Sequence, residues 1–406
     1  MTTQIVLHEY DSTVVSLDAS TASKVSEAAG AALSIEPTGT PGAWRLSASC
    51  HVGSIVLRDV EVLVKPKLRL DNLFALMDAG MPEAAWRPEV FGYGADRQLL
   101  PAFAAFFART VDRLTARGLI RSYRPEDDRL TALRGRIDFP AQLRQPALPS
   151  PIACRFDEYT ADVAENRFLL AAIERLLRIP GVDARTRSLL QHTRGRFEDV
   201  TAELPTLGQL DAIVYTRLNE HYRPAMRLCR LVVESLSLAD HLGSAKASSF
   251  LLNMNDLFED WVTRKLRAAL RNRLVVIDQS PLKLDNEGKV AIAPDLEFRE
   301  RDHTVYVGDV KYKLTGSGLA RSSDYYQLLA YCTTLGLEEG VLIYAQTDGA
   351  PPEKRVTVRN AGTRLFTYQL DLSGSLQDLE ESIQALASWI AKHSRPSLPV
   401  FAGTAS

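Results

Sequence analysis

The spacing of apolar residues changes along this 406-residue chain, and that change divides what it can fold into. From residue 52 to 64 the apolar run Ile55-Val56-Leu57 gives way to Val60, Val62 and Val64 in alternation, the two-residue period of half-buried strands. With Ile5-Val6-Leu7 as an opening strand, and Pro37, Gly39, Pro41, Gly42 and Gly53 read as turn punctuation, residues 1–80 are expected to be β-rich. Leu100, Phe103, Phe107, Val111 and Leu114 are instead spaced 3, 4, 4 and 3, which puts them on one helical face, with Gly118 as its stop. A connector rich in proline (Pro140, Pro146, Pro149, Pro151) cannot be a continuous helix. Beyond it, Phe168, Leu169, Ala172, Ile173, Leu176 and Leu177 resume the helical period, and Leu376, Leu379, Ile383, Leu386 and Ile390 form a late amphipathic helix. The length suits two or three domains. The expected division is a β-rich region 1–80, a mainly helical connector 81–245, an α/β region 246–395 and a disordered tail 396–406 containing Pro396, Pro399 and Gly403. The fold class is therefore multidomain α+β or α/β.

The formal net charge of −2 argues against a protein held to nucleic acid by bulk positive charge. Any positive charge used for that purpose must be local, or come from a metal or a partner. Arginines are frequent from Arg109 to Arg144; they read either as solvated helix faces with ion pairs or as a surface for phosphate. Cys50, Cys154, Cys229 and Cys332 show no paired spacing, so neither a zinc site nor a disulfide framework is indicated. No basic, then apolar, leader opens the chain and no stretch of about 18 apolar residues occurs. A cytoplasmic protein with no membrane partner is expected.

The chemistry concentrates between Asn255 and Asp324. A helix over 255–272, capped by Asn255 or Asp256, places Leu257, Phe258, Trp261, Leu266 and Leu270 on one broad face and Glu259 at its margin. A carboxylate there must be paired, metal-bound or protonated; Lys265 lies too far round the helix to pair with it. Next, residues 290–295 read as a strand ending in Pro294-Asp295, residues 299–303 as a charged turn, and residues 304–312 as a second strand. Period two puts Asp309 and Lys311 on one face and Val310 on the other. If the hairpin pairs, Asp295 can lie beside Asp309. Two adjacent carboxylates call for a cation between them, and Mg²⁺ suits a few carboxylate oxygens with water and phosphate. A nearby lysine can orient or deprotonate an attacking water and offset charge on a phosphate. Lys313 shares that strand face but is not two residues from the acid. A helix capped by Ser322 or Ser323 carries Gln327 and Tyr331 on one face.

Pro-Asp followed by Asp-x-Lys resembles the PD-(D/E)xK nucleases, which imply a mixed sheet flanked by helices, an upstream helical Glu such as Glu259, and a later Q-x-x-x-Y helix such as Gln327–Tyr331. More widely, Leu7-His8-Glu9-Tyr10, Val52-Gly53-Ser54-Ile55, Val64-Lys65-Pro66-Lys67, Leu133-Arg134-Gly135-Arg136-Ile137, Asn166-Arg167 and Met254-Asn255-Asp256-Leu257-Phe258-Glu259 resemble, in their order, the McrC family, the nuclease subunit of McrBC-type modification-dependent restriction systems. That resemblance implies a C-terminal restriction-endonuclease-like domain with Glu259, Asp295, Asp309, Lys311 and Gln327 as catalytic residues. The metal would bind Asp295, Asp309, the Val310 carbonyl and Glu259. It further implies a McrB-like AAA+ GTPase ring as partner and DNA with modified cytosine as substrate. The chain carries no G-x-x-x-x-G-K-[ST] loop, since Gly288-Lys289 is followed by Val290, so nucleotide hydrolysis is expected of the partner. Two alternatives are a non-catalytic regulator of the ring and a stand-alone repair or recombination nuclease.

Overall fold

The computed structural model describes residues 3–57, 59–77, 99–144, 150–179, 182–240, 248–312, 322–346 and 353–394. Pro146, Pro149, Lys313 and the 396–406 tail lie outside the described residues.

The first region is β-rich, with strands β1 (Thr3–His8), β2 (Ser12–Ser16), β3 (Leu33–Pro37), β4 (Ala43–Ala48), β5 (His51–Val56) and β6 (Val60–Lys65). β2, β4 and β3 form an antiparallel sheet; β1 runs parallel to β6, and β6 antiparallel to β5. A helix that the sequence reading missed, α1 (Ala19–Ala29), buries Ala22, Val25, Ala28 and Ala29 against these sheets and is capped by the Asp18 side chain. Its apolar face is mostly alanine, too small to stand out as a hydrophobic stripe.

The middle holds α2 (Leu70–Met77), α3 (Leu99–Thr115), β7 (Ser122–Leu130), β8 (Arg136–Ile137), α4 (Phe139–Leu143), β9 (Ile152–Thr160), α5 (Ala164–Leu177), α6 (Ala184–Arg194), α7 (Leu207–Asp211) and α8 (Arg223–Asp240). Phe103, Phe107, Ile173, Leu190, Tyr222 and Leu228 join one core. Helices predominate among the described residues of this stretch, but β7, β9 and β8 form a three-stranded antiparallel sheet that the sequence reading did not foresee. β7 reads Ser-Tyr-Arg-Pro-Glu-Asp-Asp-Arg-Leu and buries neither face, so it has no apolar alternation to read. Ion pairs dress the sheet instead: Asp127 of β7 with Arg155 of β9 at 2.9 Å, and Glu158 of β9 with Arg134, between β7 and β8, at 3.5 Å. At Arg124 and Arg134 the arginine run thus forms ion pairs, on or beside strands rather than on helix faces.

The last region comprises β10 (Ser248–Asn253), α9 (Met254–Leu270), β11 (Val275–Asp278), β12 (Leu282–Lys283), β13 (Ala291–Ile292), β14 (Leu296–Glu300), β15 (His303–Lys311), α10 (Ser322–Leu335), β16 (Glu339–Gln346), β17 (Glu353–Thr357), β18 (Arg364–Asp371) and α11 (Leu376–His393). β10 pairs with β5 and completes the sheet β1-β6-β5-β10. Gly53, read as a turn residue, is instead the contact point of that pairing. It has φ +142°, and a Cβ there would stand 1.9 Å from the Phe250 carbonyl oxygen. A mixed sheet follows, ordered β11-β14-β15-β16-β18-β17, with β15, β16 and β18 parallel. Val310, Val341, Ile343 and Ala345 belong to the core that includes α9 and α11, whereas Val307, Leu342 and Tyr344 pack with Leu328, Tyr331 and Cys332 of α10. Alternating residues of one strand therefore serve two helical layers.

Candidate functional site

Asp295 and Asp309 meet beside β14 and β15, but by a different hairpin from the expected one. The segment 290–292 contributes to the short β12–β13 ribbon. β15's partner is β14, which begins after Asp295 and buries Leu296, Glu297 and Phe298. The turn is tighter than residues 299–303, with Arg301 at φ +54° at its tip. Leu296 stands opposite Gly308, so Asp295 falls next to Asp309 and Val310.

The Val310 N–H donates to Asp295 Oδ2 at 2.8 Å. Lys311 Nζ lies 2.7 Å from Asp309 Oδ2 and 3.7 Å from Asp295 Oδ2. Asp309 is fully buried, at 0% exposure, and its Oδ1 has no hydrogen-bond partner among the described residues. Val310 turns its side chain into the opposite core. Glu259 is half-buried on α9. That helix is capped by Asn253, whose side chain accepts from the Asn255 N–H at 3.0 Å, two residues before the expected cap. Lys265 pairs elsewhere, with Glu380 at 2.7 Å. Gln327 is exposed and donates to the Tyr331 hydroxyl at 2.7 Å, which in turn donates to the Ala293 carbonyl at 2.8 Å. Gln327 thus reaches the segment leading into Asp295, through Tyr331.

One participant and one buried carboxylate nearby in sequence escaped the sequence reading. Gln279, at φ +48°, donates to Glu259 Oε1 at 2.6 Å and to Asp295 Oδ1 at 3.1 Å, tying helix to strand. Glu297, buried on β14, accepts from Arg299 at 2.5 Å and from Thr304, an ion pair of the strand rather than a contact of the site. A turn residue and a strand carboxylate of this kind carry no local pattern.

Electrostatics follow from burial and crowding. Burial, then the Asp295 charge, raises the Asp309 carboxyl well above its ordinary range, only partly offset by Lys311. Burial and Asp295 likewise push Glu259 up to about 7, against the Gln279 hydrogen bond. Burial alone would lower the Lys311 ammonium, yet the two aspartates outweigh it and hold it above its usual value. Among the described residues no three His, Cys, Asp or Glu side chains form a ready-made metal cage. The donors present are oxygens only, with one buried carboxylate oxygen unpartnered, a set suited to a hard cation that keeps several waters rather than to Zn²⁺.

The fold and site define a mixed α/β protein of several sheets with a buried acid–lysine centre at the C-terminal end of β15. The family model described as "McrBC 5-methylcytosine restriction system component" matches residues 46–345, and the chain belongs to that family. Among solved structures, a chain from the Thermococcus gammatolerans half-complex of McrB AAA+ hexamers with bound McrC shares the fold. It has a TM-score of 0.58 and 19% identity, over 96% of this chain and 100% of that one. A chain of the cryo-EM McrBC complex from the same organism aligns with a TM-score of 0.45 and 21% identity, over 66% of this chain and 88% of that one. Comparison with curated proteins finds no match. Among the described residues no helix is long and apolar enough to cross a membrane.

Proposed function

We propose that this chain is the McrC-type nuclease subunit of a modification-dependent restriction complex, cutting DNA phosphodiesters with Mg²⁺ in a PD-(D/E)xK site. The observation that carries the reading is the fully buried Asp309 beside Asp295, with Lys311 against both. Asp295 and Asp309 would hold the ion, with the Val310 carbonyl and Glu259 as further oxygen donors. When bound, Mg²⁺ supplies Lewis-acid polarisation of the phosphate and a more acidic water. The chain's own groups do the rest. The Val310 N–H and Gln279 fix the Asp295 carboxylate. Lys311, kept as an ammonium, offsets charge growing on the phosphate. Glu259, held by Gln279 beside Asp295, would add its oxygen to the ion or to a water bound by it. Gln327, through Tyr331, steadies the backbone ahead of Pro294-Asp295.

The proposed partner is an AAA+ ring of the McrB kind, as in the similar Thermococcus gammatolerans complex, and the proposed substrate is DNA carrying modified cytosine, in keeping with the family's description. The Gly288 turn does not supply a phosphate cradle, because the Lys289 and Val290 amides already donate to the Asp285 carboxylate at 3.0 and 2.7 Å. The test is cleavage of 5-methylcytosine DNA with the cognate ring, GTP and Mg²⁺. Asp309→Ala and Lys311→Ala are each expected to lower cutting at least about a hundredfold, with ring stimulation retained. Undiminished cutting would leave the reading of a non-catalytic regulator of the ring.

A further inference from the structure

β15 does not end at Lys311 in chemical terms. The next residue, Tyr312, is almost fully buried, and its hydroxyl donates to Glu9 Oε1 at 2.8 Å. Glu9 follows β1, some three hundred residues earlier in the chain, and is itself fully buried. The same oxygen accepts from the Lys67 N–H at 2.7 Å. From the other side, the Tyr10 hydroxyl donates to the Tyr312 carbonyl at 2.6 Å. The Tyr312 ring meets Phe258 edge-on at 5.8 Å, and Phe258 directly precedes Glu259. One side chain therefore touches both the strand that carries Asp309 and Lys311 and the helix that carries Glu259. Its polar atoms are held from the N-terminal sheet.

Packing alone does not account for this choice of residues. A phenylalanine at 312 would fill the same space, and a buried carboxylate is a costly way to close a core. Tyr10 holds its bond from φ +62°, a left-handed conformation that bulky side chains adopt only when their surroundings enforce it. A second tie runs in parallel. β10 of the N-terminal sheet continues without a break into α9, and the Met254 N–H donates to the Cys50 carbonyl at 2.9 Å.

We infer that Glu9, Tyr10 and Tyr312 form a latch through which the N-terminal sheet sets the positions of Lys311 and Glu259. They are positioning residues for cleavage, which makes this inference rest on the nuclease reading above. Anything that binds and shifts the N-terminal sheet would act on the site through these bonds.

The experiment uses the full-length chain with its ring partner, and compares wild type with Tyr312→Phe, Tyr10→Phe, Glu9→Ala and Glu9→Gln. Single-turnover cleavage at saturating Mg²⁺, DNA half-saturation, and Mn²⁺ affinity by electron paramagnetic resonance without DNA are read together. Tyr312→Phe and Glu9→Ala are expected to slow the cutting step about tenfold or more, as small misplacements of reacting groups do. They should also weaken Mn²⁺ binding while DNA half-saturation stays put. Glu9→Gln, which keeps an acceptor for the Tyr312 hydroxyl, should restore most of the rate. Tyr10→Phe, at a 41% exposed position, keeps the test open if Tyr312→Phe fails to fold. Wild-type cutting and Mn²⁺ affinity in all four variants, or losses confined to melting temperature, would overturn the latch alone. A wild-type chain that neither cuts nor binds Mn²⁺ would overturn the site reading, and the latch with it.

Discussion

Glu259 and Asp309 are raised carboxyls, and the direction of their shifts fixes how the ion-free protein responds to pH. Each folded-state carboxyl holds its proton at a pH where the unfolded chain has released it, because burial and the Asp295 charge disfavour ionisation. Their contribution to stability is thus complete below the ordinary carboxylate range of about 4, and is lost as pH rises toward 7. In EDTA the melting temperature should fall between about pH 4 and about pH 7, the window these shifts set, and level off above it. Glu259→Gln should flatten the slope, and Mg²⁺ should stabilise more at pH 8 than at pH 5. An unchanged slope in Glu259→Gln would remove that residue from the account. Asn166-Arg167, singled out by family resemblance, has a structural role in contrast. The Asn166 amide donates to the Ile120 and Ala161 carbonyls at 2.9 and 2.7 Å, and its oxygen accepts from the buried Tyr222 hydroxyl at 3.0 Å. Arg167 and Arg124 clamp Asp162, keeping that acid far below its ordinary value. Asn166→Ala should cost about 3 kcal/mol, since three buried polar groups lose partners; denaturant unfolding measures it. The Asp309-Val310-Lys311 spacing was legible because strand alternation is local. Gln279 and Tyr312 were not, because their meaning comes from elements distant in sequence.

Elements show the same division between local and distant information. α3, α5 and α11 were readable from one apolar face each, because long helices repeat their signal. The β14–β15 hairpin was readable as a hairpin but misplaced in its first strand. Val290 and Ile292 looked like the buried strand, whereas Leu296, Glu297 and Phe298 are the buried ones, and the charge of Glu297 disguised the run. β7 and β9 were invisible, since nearly all their side chains stay exposed or half-buried, only Ala153 and Cys154 being buried, and no apolar alternation marks them. β10 depends on a feature no period reveals, the absent side chain at Gly53. Gly53→Ala should cost about 3 kcal/mol or more through backbone clash at a special φ. It should also raise amide exchange at Phe250, Leu251 and Leu252, which pair with β5. Normal exchange there would mean that the sheet absorbs the clash by other means.

The whole molecule sets a limit on dividing the chain at residue 246. One hydrophobic cluster runs from Val52 and Phe74 through Phe103 and Phe250 to Phe258, Ile343 and Ile390. The Phe103 and Phe250 rings pack tilted against each other, with centroids 4.9 Å apart. The Asn72 amide of α2 donates to the Leu372 and Gly374 carbonyls at 2.6 and 2.9 Å, just ahead of α11. The Tyr312 bonds to Glu9 and Tyr10 add a polar tie between the same two ends of the chain. A fragment of residues 246–395 would keep the six-stranded sheet and the acid–lysine centre, but it would expose Phe250, Leu251 and Leu252 and leave Tyr312 without its acceptor. Three large apolar side chains newly in water cost about 1.5–3 kcal/mol each, a sum comparable to the 5–15 kcal/mol that holds an ordinary domain together. The fragment is therefore expected to melt broadly, bind a hydrophobic dye and bind Mn²⁺ more weakly than the full chain. The full chain should show one cooperative transition across its regions. A fragment that melts sharply at the full chain's temperature with undiminished Mn²⁺ affinity would show that the C-terminal region organises its site alone, and would reduce the shared core to simple contact.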